Sequence, residues 1–223
     1  MIPTSPKFSL EDAAIQAQID TGHLINIAAI VRSTEAEGPG KRMALWVQGC
    51  PFRCIGCCNP HMLAFQPQQL QTTQDLIQKT LSTEGIEGIT LLGGEPFAQA
   101  ASLARLAQAT QEQALSVMVF TGYTLQALQQ AKRPAWDALL AHTDLLIDGP
   151  YLPTQHSHKR RWIGSDNQQI HFLSPRYTHL HDEQEGWPAA NNTIEIRLHN
   201  GLISINGFPH QDITRLLLQP VGK

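Results

Sequence analysis

Cysteine is scarce in this 223-residue chain and confined to one place, with Cys50, Cys54, Cys57 and Cys58 falling within nine consecutive positions. That crowding argues against a disulfide framework, which needs thiols spread along the chain. No second C-x2-4-C or H-x3-5-H half accompanies the cluster, so the paired pattern of structural zinc sites is missing. Charge is sparse too: charged residues make up 16% of the chain and the formal net charge is −3, which leaves no broad basic face for nucleic acid. No apolar run approaches a membrane span, and Met1 to Asp20 contains no hydrophobic signal core, so the expected compartment is the cytoplasm. No Ser-His-Asp set or paired-carboxylate constellation is evident, which turns attention from acid–base catalysis to cofactor chemistry.

What is present is the run Cys50-Pro51-Phe52-Arg53-Cys54-Ile55-Gly56-Cys57, three thiols at C-x3-C-x2-C spacing. Iron–sulfur clusters held by cysteine normally take four thiolates, so a centre with three keeps one metal position open to a small molecule. Zinc binding and unliganded thiols are the competing readings. Cys58 follows Cys57 directly, and adjacent side chains diverge, so it reads as a small thiol beside the cluster rather than a fourth ligand.

The hydrophobic content of 42% suffices for one large α/β domain or two small ones. Residues 24–32 and 43–48 read as strands around Gly38-Pro39-Gly40. Thr72 to Asp75 supply N-cap chemistry for a helix carrying Leu76, Ile77 and Leu81, with Gly85 as its terminator. Strands at 88–92, 116–120 and 144–147 alternate with helical stretches at about 99–115, 125–131 and 136–142. Connections of that length predict parallel crossovers, in an open sheet or part of a barrel. After Pro150 the chain turns polar and irregular. The tail recovers order, because Thr193 to His199 and Leu202 to Ile205 flank Asn200-Gly201, a type I′ hairpin signal. The domains expected are a lead over 1–22, a core over 23–177 and a linker with hairpin over 178–223.

Parallel α/β sheets place their sites beyond the carboxyl ends of their strands. The cysteine run, Gly93-Gly94-Glu95-Pro96, Thr121-Gly122-Tyr123 and Asp148-Gly149-Pro150-Tyr151 each follow a predicted strand, so four unusual segments point to one rim. Glycine backbone at Gly93 and Gly94 can receive an ammonium or carboxylate without side-chain obstruction. Asp148 either bonds a ligand hydroxyl or caps the following turn. Thr121 and Tyr123 line a pocket or simply pack. Asn167 and Gln168 touch a ligand or partner, or hold a loop. The basic run His158-Lys159-Arg160-Arg161 reads as solvated surface.

With C-x3-C-x2-C followed by Gly93-Gly94-Glu95-Pro96, the chain resembles the radical S-adenosylmethionine superfamily. Gln48-Gly49-Cys50, Asn59-Pro60, Thr121-Gly122-Tyr123, Leu146-Ile147-Asp148-Gly149 and Gly164 to Gln168 are similar, within it, to activating proteins of anaerobic ribonucleotide reductases. The likeness covers roughly residues 24 to 175.

This resemblance implies a partial (β/α) barrel with parallel strands, to which the sequence adds a small C-terminal hairpin. It implies one [4Fe-4S] cluster on Cys50, Cys54 and Cys57. S-adenosylmethionine would be chelated by the open iron and contacted by Gly56, Cys58, Gly93, Gly94, Glu95 and Pro96, with Thr121 and Asp148 as further contacts. The implied reaction is reductive cleavage to a 5′-deoxyadenosyl radical that abstracts hydrogen from a glycine of a glycyl-radical enzyme, with electrons from a flavodoxin or ferredoxin. Modification of another peptide or a small metabolite is the alternative chemistry, and an iron–sulfur or zinc binding module the non-enzymatic one. Gly56 before the third cysteine and Cys58 after it depart from the usual aromatic residues at those places.

Overall fold

The computed structural model describes residues 10–157, 160–181, 192–199 and 202–207. In chain order the elements are α1 (Leu10–Asp20), β1 (Leu24–Thr34), β2 (Arg42–Val47), β3 (Gln69–Thr72), α2 (Thr73–Leu81), β4 (Gly88–Gly93), α3 (Ala100–Glu112), β5 (Ser116–Phe120), α4 (Leu125–Gln130), α5 (Pro134–Ala141), β6 (Leu145–Asp148), β7 (Gln169–Phe172), β8 (Ile194–His199) and β9 (Leu202–Gly207). Among the described residues no helix is long and apolar enough to cross a membrane.

Seven strands form one sheet in the order β3-β1-β2-β4-β5-β6-β7. The pairs β2–β4, β4–β5 and β5–β6 are parallel, as the crossovers predicted. The sheet is nonetheless mixed, because β1 runs antiparallel to both β2 and β3 and β7 runs antiparallel to β6. A short connection explains the first edge: residues 35–41 link β1 to β2, too few for a parallel crossover.

The parallel strands read as continuous apolar runs because both faces are covered. Met43, Leu45, Ile89, Leu91, Val117, Val119 and Leu146 belong to one core with Leu76, Leu103, Leu106 and Leu139 from the helices. On the opposite face, Met118, Leu145 and Ile147 pack with Trp162, Ile163 and Tyr177. Helix α2 starts as its cap residues predict, with the Thr72 hydroxyl accepting a bond from the Asp75 amide at 3.1 Å.

Strands β8 and β9 form a separate two-stranded sheet. Their antiparallel register pairs Ile196 with Ile205 and Leu198 with Ile203. The Asn200-Gly201 turn, His158 and Lys159 lie outside the described residues.

Candidate iron–sulfur site

The end of β2 fixes where the cysteines stand. Past Val47, the Gln48 amide donates to Asn26 O at 2.9 Å, Gly49 to Met62 O at 2.9 Å and Cys50 to Leu63 O at 3.1 Å. The cysteine loop is thus closed at its base by residues 62–63 and cannot drift from the strand. Beneath it, Gln99 accepts from the Asn26 amide at 2.7 Å and donates at 3.0 Å to the carbonyls of Asn26 and Gln48. This buried amide joins the start of β1 to the end of β2.

The Gly93 to Pro96 segment is strapped against the same base. Gly94 N–H donates to Val47 O at 2.8 Å and Glu95 N–H to Gly49 O at 2.9 Å. A Cβ at position 94 would stand 2.3 Å from Gly49 O, so the close approach of the two backbones requires glycine there.

The Glu95 side chain turns inward and is buried. Its Oε1 accepts from Phe97 N at 2.9 Å and Thr121 Oγ1 at 2.8 Å, and its Oε2 accepts from Gly122 N at 2.9 Å. Burial pushes its pKa up to about 7 against the opposing pull of those three donors. Glu95 therefore ties the end of β4 to the loop after β5, and Thr121 serves that tie.

That second loop in turn anchors the cysteines. Phe52 stacks edge-on against Tyr123, ring centroids 4.8 Å apart, and Tyr123 leans on Trp136 at 4.8 Å. A Cβ at Gly122 would fall 2.7 Å from the Phe52 ring, so glycine lets the aromatic of the cysteine loop seat itself.

Cys50 is buried, Cys54 and Cys57 are half-buried and Cys58 is exposed. Each of the first three sulfurs accepts a backbone N–H: Cys50 from Phe52, Cys54 from Tyr151 and Cys57 from Asn59. The charges of Cys54 and Cys57 act on Cys50, and that of Cys57 on Cys54, so the three thiols lie within electrostatic reach of one another. Burial pushes the Cys50 thiol up to about 12. A hydrogen bond from Cys58 lowers Cys57 to about 6.

Among the described residues no three His, Cys, Asp or Glu side chains are drawn together tightly enough to hold a single metal ion. A tetrahedral zinc needs its ligands to meet at one point. A [4Fe-4S] cube takes each thiolate on a different iron, and N–H groups aimed at the sulfurs stabilise its charge. Three thiols within electrostatic reach of one another, each with an amide donor, fit the cluster.

The loop after β6 supplies the Tyr151 amide and is itself braced. Asn167 Nδ2 donates to Pro150 O at 2.8 Å, Gln168 Nε2 to Gly149 O at 2.9 Å, and Leu152 N to Ser165 Oγ at 3.1 Å. Asp148 is buried, accepts from Leu125 N at 2.6 Å and lies 2.8 Å from His171 Nε2. Its carboxylate thus caps the first turn of α4 and pairs with β7. In the basic run, Arg160 donates to Gln168 O at 2.7 Å, and Arg161 lies 4.2 Å from the Trp162 ring centroid.

The structure brings the cysteine loop and the Gly93 to Pro96 segment together at the ends of β2 and β4. Thr121 and Asp148 lie at the ends of β5 and β6, with side chains engaged by protein. Sequence reasoning missed Gln99, Asn26 and Phe52. Only the apolar Phe52 between two thiols of an otherwise exposed loop gave a signal.

Residues 36–171 match the family model described as a 4Fe-4S single cluster domain. The chain belongs to that family. Within it, the chain is 33% identical over 142 residues to the anaerobic ribonucleoside-triphosphate reductase-activating protein of Vibrio cholerae, covering 60% of this chain and 89% of that protein. The proteins of the same description from Enterobacteria phage T4 and Escherichia coli K12 are 32% and 30% identical, covering 60% and 61% of this chain and 85% and 91% of theirs. A crystal structure of QueE from Escherichia coli overlaps 52% of this chain and 58% of that one at a TM-score of 0.37 and 17% identity, too remote to bear on the fold. The family and the named relatives agree with the resemblance suggested by the cysteine spacing.

Proposed function

We propose that this chain is a radical S-adenosylmethionine activase whose substrate is a glycine of an anaerobic ribonucleoside-triphosphate reductase. The reading is carried by the three cysteines, each with its own amide donor, set directly against the glycine segment that follows β4. Relatives matched over 85–91% of their own length are named as activators of that reductase.

In this reading Cys50, Cys54 and Cys57 hold a [4Fe-4S] cluster, and S-adenosylmethionine lies along Gly56, Cys58 and the Gly93 to Pro96 segment. Bound there, cluster and S-adenosylmethionine supply one-electron cleavage of a carbon–sulfur bond and a carbon radical that takes hydrogen from glycine. The protein's own contribution is placement. Phe52 seats the thiolate loop in its aromatic pocket, and Gln99 and Glu95 lock the strand ends under it. Thr121 and Asp148 act on the pocket through the loops they hold, as positioning residues. The Tyr151 amide, braced by Asn167 and Gln168, adds a donor to the Cys54 thiolate and so favours its charged, metal-binding form. A flavodoxin or ferredoxin is the proposed electron donor, and the cytoplasm the proposed compartment.

The test is anaerobic: reconstituted protein, a reduced flavodoxin and S-adenosylmethionine are mixed with the anaerobic reductase of the same organism, and glycyl radical is read by electron paramagnetic resonance. A radical doublet that needs all three cysteines is expected. 5′-Deoxyadenosine formation with no radical on the reductase would move the substrate to another peptide or a small metabolite.

A further inference from the structure

The cysteine loop and the segment that supports it carry exposed cations and no exposed acid. From Gly38 to Gln74 the sequence holds no Asp or Glu, and Arg53, set among the thiols beside Phe52, is exposed. Over Thr121 to Trp136 the charged residues are Lys132 and Arg133 alone, and both are exposed. Glu95, the acid that reaches this loop, is buried and bonded to Thr121 and Gly122. Asp137, a turn along α5, is the next exposed acid in the sequence. In a chain of net charge −3 this is a local excess of positive charge.

A column of touching rings joins these cations. Arg53 donates to Phe52 O at 2.9 Å, and the Phe52 ring stands edge-on to Tyr123 with centroids 4.8 Å apart. Tyr123 meets Trp136 at 4.8 Å, and the Arg133 guanidinium lies 4.5 Å from the Trp136 centroid. Phe52 falls between Cys50 and Cys54 in the sequence, so the column runs in unbroken contact from the thiol loop to an exposed cation. It uses none of the groups assigned to S-adenosylmethionine, neither Gly56, Cys58 nor the Gly93 to Pro96 segment. Electron tunnelling weakens at every gap in the packing, which makes stacked side chains a better route than solvent.

We infer that the surface bearing Lys132 and Arg133 over Trp136 docks an acidic one-electron carrier protein, whose electron crosses Trp136, Tyr123 and Phe52 to the cysteines. The inference rests on the radical S-adenosylmethionine reading, since a cluster that is never reduced needs no such surface. One electron leaves the carrier, which is oxidised, and enters the cluster, which is reduced; no bond forms or breaks and no proton moves. The cations draw an acidic surface from a distance and turn it to the column. Delivery by this route leaves the glycine segment and the thiol mouth to S-adenosylmethionine and the protein substrate.

The experiment uses the full chain with its cluster, reduced flavodoxin of the same organism, and the variants Arg133→Lys, Trp136→Leu, Trp136→Phe and the double change Lys132→Glu with Arg133→Glu. Affinity for flavodoxin is measured at low and high salt, and cluster reduction is followed by its absorbance with flavodoxin or with dithionite. The double variant is expected to bind flavodoxin on the order of tenfold more weakly at low salt, with the difference shrinking at high salt. It should be reduced by dithionite as the parent is, and Arg133→Lys should bind like the parent. At saturating flavodoxin, Trp136→Leu should slow reduction by flavodoxin more than reduction by dithionite, and Trp136→Phe should restore it. A double variant that binds flavodoxin like the parent overturns the docking surface, as does one that loses affinity for the anaerobic reductase instead. Equal slowing with both reductants in Trp136→Leu overturns the route and leaves Trp136 as packing. A parent whose cluster flavodoxin reduces, yet which leaves S-adenosylmethionine intact, defeats the radical reading itself, and that result is visible before any variant is made.

Discussion

The two ends of the parallel strands solve opposite problems. At the carboxyl ends, backbone meets backbone: Gly94 against Gly49, Gly122 under Phe52, and amides aimed at sulfur. At the amino ends, side chains fill the same role. Arg42 is fully buried at the start of β2 and donates to Thr90 Oγ1 at 2.7 Å, Ser116 Oγ at 2.8 Å, Tyr177 Oη at 3.0 Å and Ile89 O at 2.5 Å. Tyr177 in turn donates to Glu87. A buried guanidinium with every direction answered fixes the floor of the sheet, whereas the rim leaves thiols and glycine backbone open. The floor holds the fold and the rim is kept for chemistry.

That contrast is broken most severely by Cys54→Ala, which should drop cluster iron and 5′-deoxyadenosine formation to background. Because Cys54 is only half-buried, the cluster-free protein should lose no more than about 1 kcal/mol of unfolding free energy. Arg42→Ala should do the reverse. It takes the shared donor from the Thr90, Ser116 and Tyr177 oxygens, each of which keeps at least one other partner, and removes the buried cation facing Glu87, and should cost about 3–5 kcal/mol in a denaturant titration of the cluster-free protein.

Glu95→Gln lies between the two. An amide NH2 cannot accept from the Gly122 amide as Oε2 does, so about 1–3 kcal/mol should be lost, and 5′-deoxyadenosine formation should fall as well. Acidity sharpens the same comparison. Burial is the largest cause at both Glu95 and Glu37, raising each from 4.5 to about 7, so the folded state holds their protons over that interval while the unfolded chain releases them. Stability of the cluster-free protein should therefore fall as pH rises from about 4.5 to 7, and the slope should flatten in Glu95→Gln. The smallest effect belongs to Cys58→Ala, which should retain the cluster and more than about half of product formation, since Cys58 is exposed and bonded to Cys57 alone among the thiols.

The middle of the sheet was legible because strands covered on both faces are mostly apolar, as in Ile89 to Leu92, where Thr90 alone is polar, and Val117-Met118-Val119. Its edges were not. Gln69-Leu70-Gln71-Thr72 and Gln169-Ile170-His171-Phe172 are only four residues each and partly exposed, so the brief alternation they carry does not stand out from the polar stretches around them. Helix α1 gives no signal because its Ala- and Gln-rich sequence has little amphipathic contrast; Ile19 is buried, and Ser102 donates to its carbonyl at 2.9 Å.

At the site, the cysteines declare themselves by spacing. The residues that position them do not, because each works through a partner far along the chain. Asn26 and Gln99 are 73 positions apart, and Glu95 and Gly122 are 27. Asp148 shows the limit from the other side, since a strand-end carboxylate looks the same in sequence whether it caps a helix or awaits a ligand.

The most direct test is anaerobic reconstitution with iron and sulfide, dithionite reduction, and assay of 5′-deoxyadenosine from S-adenosylmethionine alongside Cys50→Ala, Cys54→Ala, Cys57→Ala and Cys58→Ala. Product from the parent and Cys58→Ala, with none from the other three, is the result predicted. A fully reduced [4Fe-4S] protein that leaves S-adenosylmethionine intact, or a cluster that survives Cys54→Ala and is lost in Cys58→Ala, would contradict it.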